Sequence, residues 1–295
     1  MRRFSNLAQR LFNVPLMLRP EKAEILVAAL LDHLGVAKLD RIDGTTLGAA
    51  ELRRMAYDEV DGDRPTRRLY SLKDGIATIP VDGTLVHKLG GVDPWSGMVG
   101  YDQLDKKLTA AREDRDVRAI LFDGDTPGGE SSGCFEFAKK IYAGSARFGG
   151  KPTYWLVNEM TCSAGYALAS CCDRIGGPET MVTGSIGVWT MLADFTKRLS
   201  NDGIKVTLRR AGDRKARGHP MEGWDDELLE KIDAWIEESR QMFATLVSMG
   251  RNIPVEDILA TEGDWFSGPD ALELGLIDAI ASPDAMFEVI RDETR

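Results

Sequence analysis

Short apolar runs alternate with amphipathic stretches along residues 71–295. Runs rich in β-branched and aromatic residues, bounded by glycine, proline or charged residues, predict strands. These runs are GIATIPVDGTLV (75–86), RAILFD (118–123), PTYWLV (152–157), MVTGSIGVW (181–189) and IKVTLRR (204–210). Apolar residues at helical spacing predict helices between the strands. The helices cover residues 101–112, a stretch ending at Tyr142, and a stretch carrying Leu192, Phe195 and Leu199.

This alternation of strands and helices predicts the fold class. Neighbouring parallel strands need a crossover connection, so we expect a mostly parallel sheet with helices packed against it, the α/β class. A long amphipathic helix is predicted over residues 225–249, with Gly250 as its end.

The residues before position 71 follow a different pattern. Residues 19–35 have Pro20 near their start and Gly35 as a C-cap, which predicts one helix. Residues 44–68 mix acidic and basic side chains and contain DGDRP, which predicts a helix followed by a linker. We therefore divide the chain into an N-terminal helical segment and linker (1–70), a main domain (71–282) and a C-terminal helix or tail (283–295).

Composition and charge exclude several classes of function. The net charge is −10, so the chain lacks the excess of Lys and Arg that binding many phosphates requires, and we expect no nucleic-acid partner. The initial MRR is followed by no apolar signal region, and the early apolar run at 25–31 is too short to span a bilayer. We therefore expect no membrane anchor and a cytoplasmic location.

Cysteine and histidine spacing argues against a metal centre. The three histidines are dispersed, and the cysteines lack the paired C-x-x-C spacing of a zinc site. We expect no metal, no cofactor and buried free thiols at Cys134, Cys162, Cys171 and Cys172.

A candidate nucleophile stands in MTCSAGYALASCC, residues 160–172. Ser163 follows a predicted strand and begins a helical stretch, so backbone N–H groups and the positive end of a helix would lie near its oxygen. Ala164 and Gly165 are small enough to let a substrate backbone approach. Ser163 could equally be an ordinary N-cap, and the neighbouring Cys162 is an alternative nucleophile.

A candidate oxyanion loop, DGDTPGGE (123–130), directly follows the strand at 118–123. Gly128 and Gly129 would leave N–H groups unobstructed, as an oxyanion hole requires, although a plain strand-to-helix turn has the same composition. In a parallel sheet this loop and Ser163 would lie side by side, which favours the functional interpretation of both.

The general base is the third element of such a site. His87 and His219 are both possible bases on sequence grounds. A lysine can also accept the proton when its amine is neutral, a state that burial or nearby cations favour. Lys215 lies in LRRAGDRKARGHP, a cationic run that is also typical of a solvated face.

Several motifs together carry a family resemblance. GIATIPVDGTLV, DTPGG, CSAGYALAS, TGSIGVW, AGDRKARG and WFSGPDALELGLID occur in order between positions 75 and 278. With them, the chain is similar to serine peptidases of the signal peptide peptidase A superfamily (protease IV, peptidase family S49). The early segment NVPLMLRPEKAEILVAALLDHLG resembles the branch formed by the capsid assembly proteases of lambda-type tailed phages.

This resemblance implies a ClpP/crotonase-like fold of repeated ββα units with an N-terminal helical appendage. It also implies a Ser-Lys dyad, with the family's serine at Ser163 and its lysine at Lys215. The other implied site residues are Ser185, which positions the lysine amine, and the oxyanion-hole residues Gly128, Gly129 and Ala164.

The resemblance implies a homo-oligomeric serine endopeptidase that matures phage or prophage heads by cleaving scaffold or portal proteins, in the host cytoplasm and the prohead. One alternative is a cellular peptidase of the signal-peptide-peptidase type that degrades peptides. Another is a catalytically silent module that assembles capsids or binds scaffold protein.

Overall fold

The computed structural model describes the backbone of residues 16–18, 38–40 and 46–48, and all of residues 68–90 and 97–295. The predicted helix at 19–35 and most of the segment 44–68 lie outside these residues. The strands are β1 (Leu16–Leu18), β2 (Lys38–Asp40), β3 (Thr46–Gly48), β4 (Ser71–Lys73), β5 (Ile76–Asp82), β6 (Thr84–Val86), β7 (Met98–Gly100), β8 (Ala119–Thr126), β9 (Gly128–Glu130), β10 (Thr153–Cys162), β11 (Arg174–Gly177), β12 (Val182–Gly184), β13 (Trp265–Ser267) and β14 (Ala279–Ile280). The helices are α1 (Tyr101–Glu113), α2 (Cys134–Ala143), α3 (Ala164–Ala169), α4 (Thr196–Asn201), α5 (Asp226–Arg251), α6 (Val255–Leu259), α7 (Gly268–Glu273) and α8 (Pro283–Glu293).

The larger sheet has the strand order β13-β12-β10-β8-β5-β4. Strands β5, β8, β10 and β12 run parallel, and β4 and β13 pair antiparallel at the two ends. Strand β10 is long enough to pair with β11 near its start and with β12 near its end. Helices follow the parallel strands, so the α/β class predicted from the sequence is confirmed.

A smaller sheet, with the order β1-β9-β6-β7, begins where two strands of the larger sheet end. Strand β6 follows β5 after Gly83, and β9 follows β8 after Pro127. Strand β6 pairs parallel with both β7 and β9, and β1 pairs antiparallel with the other edge of β9.

Aromatic and aliphatic side chains between sheet and helices form the core. Phe122 stacks on Trp155 at 5.4 Å between ring centroids, and both are fully buried. The Trp155 indole N–H donates to Thr161 Oγ1 at 2.9 Å, so the ring buries its one polar group with a partner. Because strands of a parallel sheet are covered on both faces, they contain continuous apolar runs rather than alternating ones.

The long helix α5 ends differently from the prediction. Gly250 lies inside the helix, and Asn252 ends it in the left-handed conformation with φ 57°. A Cβ on Gly250 would stand 1.9 Å from the Ser170 carbonyl oxygen, so this glycine permits close packing rather than a cap.

Two predictions for residues 192–210 are wrong. The helix expected around Leu192 begins only at Thr196, and residues 204–210 form neither a helix nor a strand paired with any described residue. The side chains of Ile204 and Val206 are exposed, and no described strand pairs with this segment to complete a ladder. An apolar run of this kind predicts a strand only when a partner strand is present.

No helix in the described part of the chain is both long enough and apolar enough to cross a bilayer.

Candidate active site

Ser163 lies in a strained turn at the end of strand β10. Its backbone has φ 54° and ψ −121°, and its N–H donates to the Gly184 carbonyl at 2.8 Å. A positive φ is uncommon for residues other than glycine and costs conformational energy, which neighbouring structure must offset. The strand-to-helix connection therefore turns sharply at this serine.

The Ser163 hydroxyl does not serve as a helix cap. The residue stands directly before α3, yet its side chain makes no capping hydrogen bond. Within the described residues its Oγ has no hydrogen-bond partner, and the residue is 1% exposed. The interpretation of Ser163 as an ordinary N-cap is therefore wrong.

Ser185 stands beside Ser163 because strands β10 and β12 are paired. Cys162 is the partner of Gly184 in that ladder, and the two serines are the next residues along each strand. Ser185 also has a positive φ, 54°, and its N–H donates to the Asp264 carbonyl at 2.7 Å. The residue predicted to position the lysine and the predicted nucleophile thus follow paired positions at the ends of two neighbouring strands.

Thr126 joins the DTPGG loop to the strand end that carries Ser163. Thr126 is the partner of Thr161 in the β8–β10 ladder, two residues before Ser163. Its hydroxyl donates to the Gly83 carbonyl at 2.7 Å and accepts from the Gly128 N–H at 3.2 Å. No sequence pattern predicts a role for Thr126, although it stands inside the DTPGG motif.

The predicted oxyanion residues are brought to this place in different ways. Gly128 has φ 103°, a conformation that favours glycine, and its N–H is held by Thr126. Ala164 supplies the first N–H of α3, a position without an intrahelical acceptor. A Cβ on Gly129 would stand 1.8 Å from the Leu85 carbonyl oxygen, so Gly129 lets β9 approach β6.

The small residues after Ser163 are packed inside the protein. Ala164 and Gly165 are both buried, and a Cβ on Gly165 would meet Thr126 Cγ2 at 2.4 Å. Gly165 therefore faces the DTPGG loop, whereas the sequence suggested an approach surface for substrate.

Lys215 makes no hydrogen bond with Ser163 in the described part of the chain. It is exposed in a series of turns, and its backbone N–H donates to the Gly212 carbonyl at 3.0 Å. Among the described residues, no hydrogen bond or ion pair reaches its ammonium group. The neighbouring Arg217 Nε donates to Asp225 at 2.8 Å, and Arg214 pairs with Glu227 at 3.0 Å. These arginines hold the cationic run against the start of α5, with Lys215 left in solvent.

The alternative bases and nucleophile are not positioned for catalysis either. Within the described residues, neither His87 nor His219 hydrogen-bonds Ser163, and the His219 Nδ1 accepts from the Met221 N–H at 3.3 Å. Cys162 is fully buried, with its Sγ 3.8 Å from the Val182 carbonyl oxygen. All four cysteines are free and buried, as expected.

An open groove of about 420 Å³ lies beside α4, apart from the strand ends. It is lined by Thr196, Leu199, Ser200, Gly203, Ile204, Lys205, Val206 and Met221, and it includes none of the predicted catalytic residues.

The chain matches a peptidase family model and is similar in sequence to two phage proteins. The family model described as peptidase family S49 matches residues 146–295. The chain is 37% identical to capsid assembly protease C of Escherichia phage lambda, over 99% of this chain and 66% of that protein. It is 35% identical to head-tail preconnector protein GP5 of Enterobacteria phage P21, over 98% of this chain and 57% of that protein. The chain thus spans less than two thirds of either relative's length.

The solved structure of an enoyl-CoA hydratase/isomerase family protein from Silicibacter pomeroyi aligns with a TM-score of 0.44 and 16% identity. The alignment covers 76% of this chain and 79% of that one.

Proposed function

Because the chain belongs to peptidase family S49, we propose that it is a serine endopeptidase with Ser163 as nucleophile and Lys215 as general base. The observation that carries this proposal is the strained backbone of Ser163, whose hydroxyl caps no helix and which directly follows the part of β10 that pairs with Thr126 of the DTPGG loop. A serine that only capped a helix would need neither feature.

In the proposed mechanism, the neutral amine of Lys215 takes the proton from Ser163 Oγ as the oxygen attacks the scissile carbonyl. The N–H groups of Gly128 and Ala164 stabilise the tetrahedral oxyanion. Lys215 then protonates the leaving amine, and water activated by the same lysine hydrolyses the acyl-enzyme. The Ser185 hydroxyl holds the amine in place.

The oxyanion step requires a small local change at Gly128. Its N–H now donates to Thr126 Oγ1 at 3.2 Å, which is long for a hydrogen bond. An oxyanion is a much stronger acceptor than a neutral hydroxyl, so it would capture this N–H when it forms.

For Lys215 to act as the general base, a larger structural change is required. Lys215 is exposed, and the segment 204–210 before it carries the exposed side chains of Ile204 and Val206. We propose that this arm, residues 204–217, docks on a second copy of the chain and brings Lys215 to that copy's Ser163. The chain would then be active only as a homo-oligomer.

The proposed substrates are proteins of a phage or prophage head, among them scaffold and portal proteins. Support comes from the capsid assembly and head-tail preconnector functions in the names of the two phage relatives. Cleavage would take place in the host cytoplasm and inside the prohead.

A second candidate is a catalytically silent assembly module. The exposure of Lys215, whose ammonium group makes no hydrogen bond in the described part of the chain, is the observation that favours it.

The experiment compares wild type, Ser163→Ala and Lys215→Ala for cleavage of casein, an unfolded protein, and for labelling by a fluorophosphonate probe. Ser170→Ala removes another buried serine near α3, and Lys197→Ala removes an exposed lysine outside the arm, so they are the matched controls. We expect the two dyad variants alone to lose cleavage, and Ser163→Ala to lose labelling. Cleavage by Ser163→Ala at the wild-type rate would refute the dyad, and an unlabelled, inactive wild type would favour the silent module.

A further inference from the structure

The strand β1 covers the one edge of β9 that the rest of the smaller sheet leaves open. Strand β9 pairs with β6 on one side and with β1 on the other. In the antiparallel register, Leu16 is opposite Glu130, Met17 opposite Gly129 and Leu18 opposite Gly128. The chain's own early segment is thus added as an edge strand to the loop that carries the proposed oxyanion donor.

The register determines which end of β1 lies nearer Ser163. Thr126 and Thr161 are partners in the larger sheet, so Gly128 is the end of β9 closest to Ser163. Because β1 runs antiparallel to β9, its last residue, Leu18, lies at that end. An extended substrate that added to β9 with its scissile carbonyl near Ser163 would take the same edge and could run in the same direction.

We propose that β1 occupies the substrate-strand site and competes with substrate for the edge of β9. This inference rests on the proposed peptidase function, since the edge is a substrate site only if Ser163 is the nucleophile. The occupant is residues 16–18 of this chain, and an extended peptide segment of a substrate must displace it.

The length and flanks of β1 suit a reversible occupant. Pro15 and Pro20 flank the segment LMLR in the sequence, and neither can donate to a ladder. A strand of three residues gains few backbone hydrogen bonds, so it would bind weakly as a separate peptide. Tethering makes the pairing intramolecular, which allows a weak segment to remain docked until a substrate competes.

The test measures occupancy without depending on catalysis. In a Ser163→Ala background, hydrogen exchange is followed for residues 126–131 in full-length chains carrying Met17→Pro or Met17→Ala. Proline removes the N–H of residue 17, whereas alanine keeps this backbone donor and is the matched control. We expect exchange at 126–131 to rise about tenfold or more with Met17→Pro and to stay unchanged with Met17→Ala.

A second measurement uses a synthetic peptide with the sequence of residues 12–21, FNVPLMLRPE. If β1 is docked at least nine tenths of the time, the peptide should bind the Met17→Pro variant about tenfold more tightly than the Met17→Ala variant. Equal exchange and equal affinity in the two variants would overturn the proposal.

Two further comparisons keep the outcomes distinct. If Met17→Pro also raises exchange in β5 and β8, Leu18→Pro replaces it and is judged by the same two measurements. Should Ser163→Ala retain full cleavage while Met17→Pro deprotects residues 126–131, the peptidase mechanism fails and occupancy of the β9 edge stands. Loss of cleavage in Ser163→Ala, with equal exchange at residues 126–131 in the Met17→Pro and Met17→Ala variants, would support the peptidase mechanism. It would overturn the occupancy of the β9 edge by β1.

Discussion

Gly165 lies directly against Thr126: a Cβ added to Gly165 would be 2.4 Å from Thr126 Cγ2. Thr126 in turn accepts a hydrogen bond from the Gly128 N–H. One side chain therefore connects the first turn of α3, which follows the candidate nucleophile, with the loop that holds the candidate oxyanion donor. The position of α3 relative to the DTPGG loop therefore depends on the absence of a methyl group at residue 165.

Gly165→Ala should therefore impair activity by displacing Thr126 and the DTPGG loop. We expect a loss of about tenfold or more in kcat/KM, since misplaced groups weaken transition-state contacts, and a destabilisation of about 1–3 kcal/mol. The double variant Gly165→Ala, Thr126→Ser should recover much of both, because serine lacks Cγ2 and keeps the hydroxyl that Gly128 uses.

Cleavage assays and urea denaturation check this prediction, with Thr126→Ser alone as the control. A double variant as impaired as Gly165→Ala would show that the contact with Thr126 is not the cause.

Gly129→Ala should destabilise the protein by about 3 kcal/mol, because its Cβ would overlap the Leu85 carbonyl oxygen at 1.8 Å and force β9 away from β6. Gly187→Ala is the matched control. Its Cβ would have Gly263 Cα at 3.4 Å as its nearest contact, so we expect a change below about 0.5 kcal/mol. Urea denaturation measures both values, and similar costs for the two variants would contradict the steric argument.

Mixing inactive chains should restore activity if the arm docks on a second copy. Neither Ser163→Ala nor Lys215→Ala should cleave casein alone. After equimolar mixing under conditions that allow subunit exchange, about one quarter of the sites would combine an intact Ser163 with an intact Lys215 from another chain. We therefore expect about a quarter of wild-type activity. No recovery, although the subunits exchange, would mean that each chain uses its own lysine.

The buried thiols should make the protein less stable at alkaline pH. Burial raises the pKa of both the Cys134 and Cys171 thiols to about 12, from an ordinary value of 9.0. Above pH 9 the unfolded chain releases these two protons while the folded chain keeps them. The stability present below pH 9 is therefore lost as the pH rises towards 12, by about 3 kcal/mol per pH unit from these two groups.

Urea denaturation at two pH values between about 9.5 and 10.5 measures this slope. A Cys134→Ala, Cys171→Ala double variant should show a shallower slope. An equal slope in the two proteins would assign the alkaline loss to other groups.

Much of the fold could be predicted from local patterns. The apolar runs at β5, β8 and β10 are long enough to be buried on both faces, and the amphipathic stretches between them supply the crossovers. The same reasoning located part of the candidate site. When consecutive parallel strands lie side by side, the loops after their carboxyl ends meet, so Ser163 and Gly128 could be expected together.

The features that the sequence alone did not determine depend on contacts between distant residues. Residues 204–210 have a strand-like pattern, yet no described strand is available to pair with them, and Lys215 stays in solvent. Gly250 resembles a helix end in sequence but lies against Ser170. The pairing of β1 with β9 joins residues more than a hundred positions apart. Side-chain periodicity reports which face of an element is buried, whereas only the tertiary structure decides which element covers that face.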